Sequence, residues 1–253
     1  MILDLQKASM WKRISAALFD LILLGIAAVF FAWLLAGALG IDQHYEVLDE
    51  RYTHYESLYG VSRSLTHDQL SKMTEAEIAQ VQAASDAIAS DPAAVHAYNM
   101  VIQLIITISS LSIFLAFLML EFFIPVLLHN GQTLGKKIFG VALMRTEGVS
   151  VNPVCMFIRA ILGRYVAETM IPLIIIAMIF MGTMGIMGTL VVLALLIGEI
   201  VLMITTRENA LIHDKMADTV CVDLASQMIF PTRESLLEYK TRKHAEEASR
   251  AEY

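Results

Sequence analysis

The chain has 253 residues, of which 57% are apolar and 17% are charged, against roughly 45–50% apolar and 25% charged in a soluble domain. Its apolar residues occur in runs longer than the roughly 18 that indicate a membrane-spanning helix, which excludes an ordinary soluble protein. The formal net charge of −7 argues against a nucleic-acid partner, because that binding requires a basic surface.

The first predicted span is the apolar run at residues 14–39, which follows Lys7, Lys12 and Arg13. A signal-peptide core is only about 7–15 residues long. This run is much longer and contains Asp20. We therefore predict an uncleaved membrane helix.

Residues 41–98 differ sharply from the first span, because they contain ten acidic residues and only three basic ones. This composition predicts a water-facing loop outside the cytoplasm. Within it, Thr74 and Glu77 have the spacing of a capping box, in which each side chain bonds the backbone amide of the other residue. The motif predicts a helix over 75–89.

The second predicted span covers about residues 99–124 and is introduced by Asp91-Pro92, which fits a helix N-cap followed by a proline in the first turn. The stretch 131–164 that follows is polar, basic and interrupted by glycines. We predict that it lies at one membrane surface.

Residues 170–205 form a further apolar stretch. As one helix it would be about 54 Å long at 1.5 Å per residue, whereas the hydrocarbon core of a bilayer is about 30 Å thick. Two spans, at about 163–181 and 186–205, fit better than one. We place the turn between them at the glycine cluster Gly182, Gly185 and Gly188.

The orientation follows from the basic residues, which are retained preferentially on the cytoplasmic side. With four spans, the N-terminal segment, residues 131–164 and the residues after Thr205 together hold fifteen of the eighteen lysines and arginines. We therefore predict an all-α polytopic bundle with both termini in the cytoplasm, made of a membrane domain over 1–225 and a charged tail over 226–253. Cys155 and Cys221 would then remain reduced.

Four acidic residues lie within the predicted spans: Asp20, Glu121, Glu168 and Glu199. A charge at membrane depth costs about 2.5–3.5 kcal/mol, so such residues face the protein interior and have partners. We predict that they form one polar, ion-binding layer, with Arg13 as the electrostatic partner of Asp20 and Glu199. The alternative is a structural network that fixes helix register.

Other motifs give weaker signals. The segment from Gly131 to Lys136 has a partial likeness to a phosphate loop, but its glycines are one residue too close, and Lys137 stands where a magnesium-binding hydroxyl is needed. We interpret it as an amphipathic turn with lysines among lipid headgroups. The loop histidines lack the paired spacing of a zinc site, and we find no nucleophile with a base. These histidines are His44, His54, His67 and His96. We therefore expect that the protein is not an enzyme and binds no cofactor.

Three stretches together resemble the RDD family of bacterial membrane proteins. They are RISAALFD at 13–20, GQTLGKKIFGVALMR at 131–145 and RENALIHDKMADTV at 207–220. The third departs from the family pattern, because its His-Asp pair is displaced by one residue and Asp218 stands where glycine is usual. The resemblance covers most of the chain outside the acidic loop and the tail. The motif residues are Arg13, Asp20, Gly131, Gly135, Lys136, Arg207, His213 and Asp214.

This resemblance implies a multi-pass protein of the bacterial plasma membrane, in a family associated with transport that includes cation and proton exchange. Because Arg13 and Asp214 would both lie at the cytoplasmic interface, we also predict a salt bridge between them.

Two functions are compatible with these features. The first is transport or exchange of a monovalent cation, a proton or a small solute by the intramembrane carboxylates. The second is a noncatalytic membrane scaffold or assembly partner, favoured by the small number of spans and the lack of an internal repeat. Besides the lipid bilayer, a second copy of the chain is an expected partner, because a small bundle needs several copies to enclose a path.

Overall fold

A computed structural model describes residues 5–66, 69, 72–128 and 130–251. It divides into two compact units, one made of residues up to Ile26 together with Ala116 onwards, the other of Ala27–Leu115. The elements in chain order are α1 (Met10–Leu39), α2 (Ile41–Tyr59), α3 (Glu75–Ser90), α4 (Pro92–Leu127), α5 (Leu134–Ile138), β1 (Val141–Arg145), α6 (Pro153–Phe180), α7 (Gly185–Thr205), α8 (Ile212–Met216), β2 (Thr219–Asp223) and α9 (Arg233–Ala251).

Four helices are long and apolar enough to cross a membrane, namely α1, α4, α6 and α7, as the sequence predicts. The turn between α6 and α7 contains Gly182, whose φ of 72° lies in the left-handed region that glycine adopts without strain. However, α6 begins at Pro153 rather than near residue 163. The side chain of Asn152 accepts a hydrogen bond from the Cys155 amide at 2.7 Å, which starts the helix earlier.

Two of the spans contain π-helical segments, in which the backbone hydrogen bonds join residues five apart. They are Leu118–Phe123 in α4 and Ile158–Met170 in α6. Such segments are rare in proteins, but those that occur are often found at functional sites. Both carry ionisable side chains, which are Glu121 in the first and Arg159, Arg164 and Glu168 in the second.

The structure also contains a small antiparallel sheet of β1 and β2, which was not predicted from the sequence. Leu143 pairs with Cys221 at its centre. The Ala8 amide donates a hydrogen bond to the carbonyl oxygen of Cys221 at 3.2 Å, so the N-terminal segment joins the same platform. Both cysteines are free, as predicted. The sheet is buried on both faces. One face contributes to a cluster of Ala8, Val141, Leu143, Met156 and Cys221, and the other to a cluster of Ala142, Met144, Val220 and Val222.

The unit Ala27–Leu115 contains more helix than predicted. Residues of α2 belong to the stretch predicted as a loop, whereas α3 begins with the predicted capping box of Thr74 and Glu77. At the start of α4, Asp91 Oδ1 accepts from the Ala93 amide at 2.8 Å, which confirms the predicted N-cap. The helix caps are therefore the polar contacts of this unit that could be predicted from the sequence.

Candidate functional site

Asp214 on α8 is at the centre of a buried ionic network in the unit that contains the sheet. Its side chain is only 1% exposed. It accepts from a guanidinium nitrogen of Arg159, and Arg13 Nη2 lies 3.4 Å from its Oδ2. The predicted Arg13–Asp214 salt bridge is thus present. Burial alone would raise the pKa of Asp214, but Arg159 outweighs it and holds the pKa below the usual range of an aspartate.

His213 links this network to the third span. Its Nε2 lies 3.0 Å from Arg159 Nη2, and its Nδ1 lies 2.7 Å from the Glu168 carboxylate. Because a guanidinium can only donate, Nε2 must accept and Nδ1–H must donate to Glu168. Burial, reinforced by Arg159, places the pKa of His213 well below its ordinary value. The ring is therefore neutral and has one defined tautomer.

Glu168 and Glu199 form the second part of the site. Glu168 also accepts from the backbone amide of His213 at 2.7 Å, so its position is fixed. Glu199 lies within electrostatic reach of Glu168, and its Oε1 is buried without a hydrogen-bond partner among the described residues. Both acids line a cavity of about 340 Å³ together with Pro172, Leu196 and other apolar side chains.

Asp20 has a different environment from the other acids. Thr133 Oγ1 donates to its Oδ2 at 2.5 Å, and the Gly135 amide donates to its Oδ1 at 2.7 Å. A Cβ added at Gly135 would lie 2.3 Å from the carbonyl oxygen of Ala16, so only glycine permits this approach. Asp20 therefore joins the first family motif to the second.

The predicted role of Arg13 as partner of Asp20 and Glu199 is wrong. Arg13 and Asp20 are seven residues apart on one helix, which is about 10 Å along its axis. Arg13 instead contacts α8 and donates to the carbonyl oxygen of Asn209 at 2.7 Å. Its acidic partner among the described residues is Asp214.

Glu121 pairs with Arg164, which also interacts electrostatically with Asp20 and Glu168. The four acids have different direct partners, and the single polar layer stays a prediction. Lys136 also departs from its prediction. Its side chain is half-buried, whereas that of Lys137 is exposed. Burial lowers the pKa of Lys136 below its ordinary value, against the opposing effect of Glu121.

The remaining motif residues lie at the borders of the site. Gly131 is buried in the turn before α5, and Arg207 is exposed between α7 and α8. Asp218, at the position where the family usually has glycine, has a φ of 51°, in the left-handed region that non-glycine residues seldom adopt. Its carboxylate accepts from Thr146 Oγ1 at 2.6 Å, which helps to hold this conformation.

The sequence analysis missed the roles of Arg159, Thr133 and Gly163. A Cβ at Gly163 would lie 2.7 Å from the Cβ of His213, so glycine allows α8 to approach α6. The available signal was Asn152-Pro153, which fits a helix start and would have placed Arg159 inside the third span.

Among the loop histidines, His44 and His96 have ring centres 6.4 Å apart. His67 lies outside the described residues, and so does His129 near the end of the second span. In the part of the chain that the structure describes, no three histidine, cysteine or acidic side chains are grouped as metal ligands.

The comparisons with known proteins agree with the motif geometry. The model of the RDD family matches residues 7–218, a range that includes the Arg13–Asp214 pair and all four acids. No curated protein and no solved structure matches the chain. Because the family match covers well over half of the sequence, the chain belongs to the RDD family.

Proposed function

We propose that this protein exchanges a proton or a monovalent cation across a membrane, with Glu168 and Glu199 as the ion-binding carboxylates. The single observation that carries the proposal is the buried Glu199 Oε1, which has no hydrogen-bond partner among the described residues. A buried carboxylate oxygen without a partner is costly. A bound proton or cation would supply that partner.

The position of Glu168 supports the same site. Two adjacent carboxylates repel each other when both are ionised, so one proton or one cation between them lowers the energy of the pair. His213 holds Glu168 through two contacts of 2.7 Å, whereas no described residue donates a hydrogen bond to Glu199 Oε1. We therefore assign the fixed ligand to Glu168 and the exchanging ligand to Glu199.

The proposed setting is a bacterial plasma membrane with both termini on the cytoplasmic side, which the distribution of basic residues supports. The protein would carry out no chemical conversion and need no cofactor. A second copy of the chain is its proposed protein partner, because four spans leave little room to enclose a path.

A noncatalytic scaffold is the second candidate function. It is favoured by the two contacts from Glu168 to His213, because they join α8 to α6 and would serve a purely structural acid equally well. In that case the buried carboxylates would fix helix packing.

The decisive experiment measures proton flux driven by a sodium or potassium gradient in vesicles that contain the purified protein. We compare the wild type with Glu199→Gln, which keeps the side-chain shape, and with Glu208→Gln as the matched control. Glu208 pairs with Lys215 at 3.1 Å on the surface. Size-exclusion profiles establish that each variant is folded.

We expect flux in the wild type and the Glu208 variant, and loss of most of it in Glu199→Gln. Wild-type flux no greater than that of protein-free vesicles would reject exchange and favour the scaffold. Full flux in Glu199→Gln would reject the assigned carboxylate.

A further inference from the structure

A second cavity, distinct from the one that Glu168 and Glu199 line, lies beside the first half of α1. Its volume is about 180 Å³, enough for several water molecules or a small anion. Four cationic side chains line it, and Asp20 is the acidic one. The cations are Arg13, Lys136, Arg159 and Arg164.

Three of these cations already have acidic partners. Arg13 and Arg159 both contact Asp214, and Arg164 contacts Glu121 through Nη1. Asp214 and Glu121 are buried. Two carboxylates are thus shared among three arginines, and neither carboxylate forms an ion pair with the fourth cation.

Lys136 is that fourth cation. Its ammonium group makes no hydrogen bond or ion pair with any residue that the structure describes. Asp20, the acid in the same wall, already accepts from Thr133 and Gly135. A partly desolvated ammonium without a counter-ion is energetically unfavourable. An anion in this cavity would therefore lower the energy of Lys136.

Arg164 offers further donors. Only its Nη1 is used, by Glu121, and the remaining N–H groups of its guanidinium make no hydrogen bond with the described residues. A guanidinium fork and an ammonium together suit the tetrahedral oxygens of a phosphate group.

We propose that this cavity binds an anionic phosphate group, held by Lys136 and by the unused N–H groups of Arg164. The group is either the headgroup of an anionic phospholipid or free inorganic phosphate, since the two share the chemistry that these side chains recognise. This cavity is separate from the one that Glu168 and Glu199 line, although His213 lines it and also contacts Glu168.

The test uses the full chain and two neighbouring lysines of the same short helix. Lys136→Gln removes the partnerless ammonium, and Lys137→Gln removes an exposed charge as the matched control. The first arm titrates inorganic phosphate, with chloride at equal ionic strength as reference, and measures the thermal unfolding midpoint in neutral detergent. The second arm measures lipid retained after transfer from phosphatidylglycerol or phosphatidylcholine nanodiscs, by native mass spectrometry.

A phosphate-dependent rise in the midpoint of the wild type and of Lys137→Gln, with binding weakened about 10- to 100-fold in Lys136→Gln, would support free phosphate. Selective retention of phosphatidylglycerol with the same dependence on Lys136 would support a lipid headgroup. The proposal is overturned if the wild type responds to neither probe, or if both lysine variants respond alike. If Lys136→Gln does not fold, Lys136→Met replaces it in both arms, because methionine tolerates burial without a polar partner.

Discussion

The two units of the molecule use polar side chains in opposite ways. In the unit with the sheet, buried groups join distant segments: Arg159 and Asp214 are 55 residues apart, and Thr133 and Asp20 are 113 apart. In Ala27–Leu115 the polar contacts are more exposed and join residues closer in sequence, such as Thr74 and Glu77, three apart, or Tyr55 and Asp91, 36 apart. The difference teaches that the first unit uses buried charge to specify tertiary packing, whereas the second uses helix caps and more exposed ion pairs.

The largest expected effect comes from removing the central arginine of the first unit. Arg159→Met leaves Asp214 buried with Arg13, at 3.4 Å, as its remaining cationic partner among the described residues, which should cost about 3–5 kcal/mol of folding stability. Arg63→Met is the control in the other unit, because Arg63 pairs with Asp49 in solvent, and we expect no measurable change. Chemical unfolding in detergent measures both. Equal stability of the two variants would remove the contrast between the units.

A close backbone approach gives the next largest effect. In Gly135→Ala the new methyl group would collide with the Ala16 carbonyl oxygen, and the required shift should cost about 1–3 kcal/mol. Gly25→Ala is the matched change in α1, where an added Cβ meets nothing within 4 Å, so we expect unchanged or slightly higher stability. Unfolding in detergent again measures the difference. A Gly135 variant as stable as wild type would show that the Asp20 contact tolerates displacement.

A pH effect should distinguish the buried network from the rest of the chain. His213 has a pKa well below its ordinary value in the folded state, so only the unfolded chain takes up its proton as the pH falls below about 6.5. This group should therefore destabilise the fold by about 1.4 kcal/mol at about pH 5.5. Between about pH 7.5 and pH 5.5 the wild type should therefore lose about 1.4 kcal/mol more stability than His213→Gln. The exposed-tail control, His244→Gln, should keep the wild-type slope; a wild-type slope in His213→Gln would contradict the buried neutral ring.

The smallest effect should be local to the other unit. Thr74→Ala removes the side chain that caps α3, which should cost about 1 kcal/mol. Hydrogen exchange should become faster in α3 and remain unchanged in β1 and β2. Thr53→Ala, at an exposed position inside α2, is the control and should leave the exchange of α3 unchanged. Faster exchange throughout the molecule would mean that the two units do not respond independently.

The features that could be predicted from the sequence are those set by neighbouring residues. Four apolar runs, the cap at Thr74 and the turn at Gly182 each depend on a short pattern with a direct physical cause. The sheet could not be found in this way. Its strands are five residues long and buried along nearly their whole length, so they lack the alternation that identifies a half-exposed strand.

The candidate site was predictable in its residue types but not in its pairings. Charge at membrane depth identified the four acids, and the family motifs identified Arg13 and Asp214. Which base meets which acid depends on the early start of α6 and on the approach of α8 to Gly163. Similarly, α2 was not predicted, because the acidic composition of residues 41–98 was interpreted as a loop. Its less exposed side carries Leu48, Tyr52, Tyr55 and Tyr59 at helical spacing.

The separation between Arg159 and Asp214 also has a consequence for the newly made chain. A ribosome adds about 5–20 residues per second, so the 55 residues between them take about 3–11 s to synthesise. During that interval the arginine has no carboxylate from α8, and β1 has no strand to pair with. A chain whose synthesis stops before residue 214 would therefore expose an unpaired strand edge and an uncompensated cation, two features that quality-control proteases and chaperones can recognise.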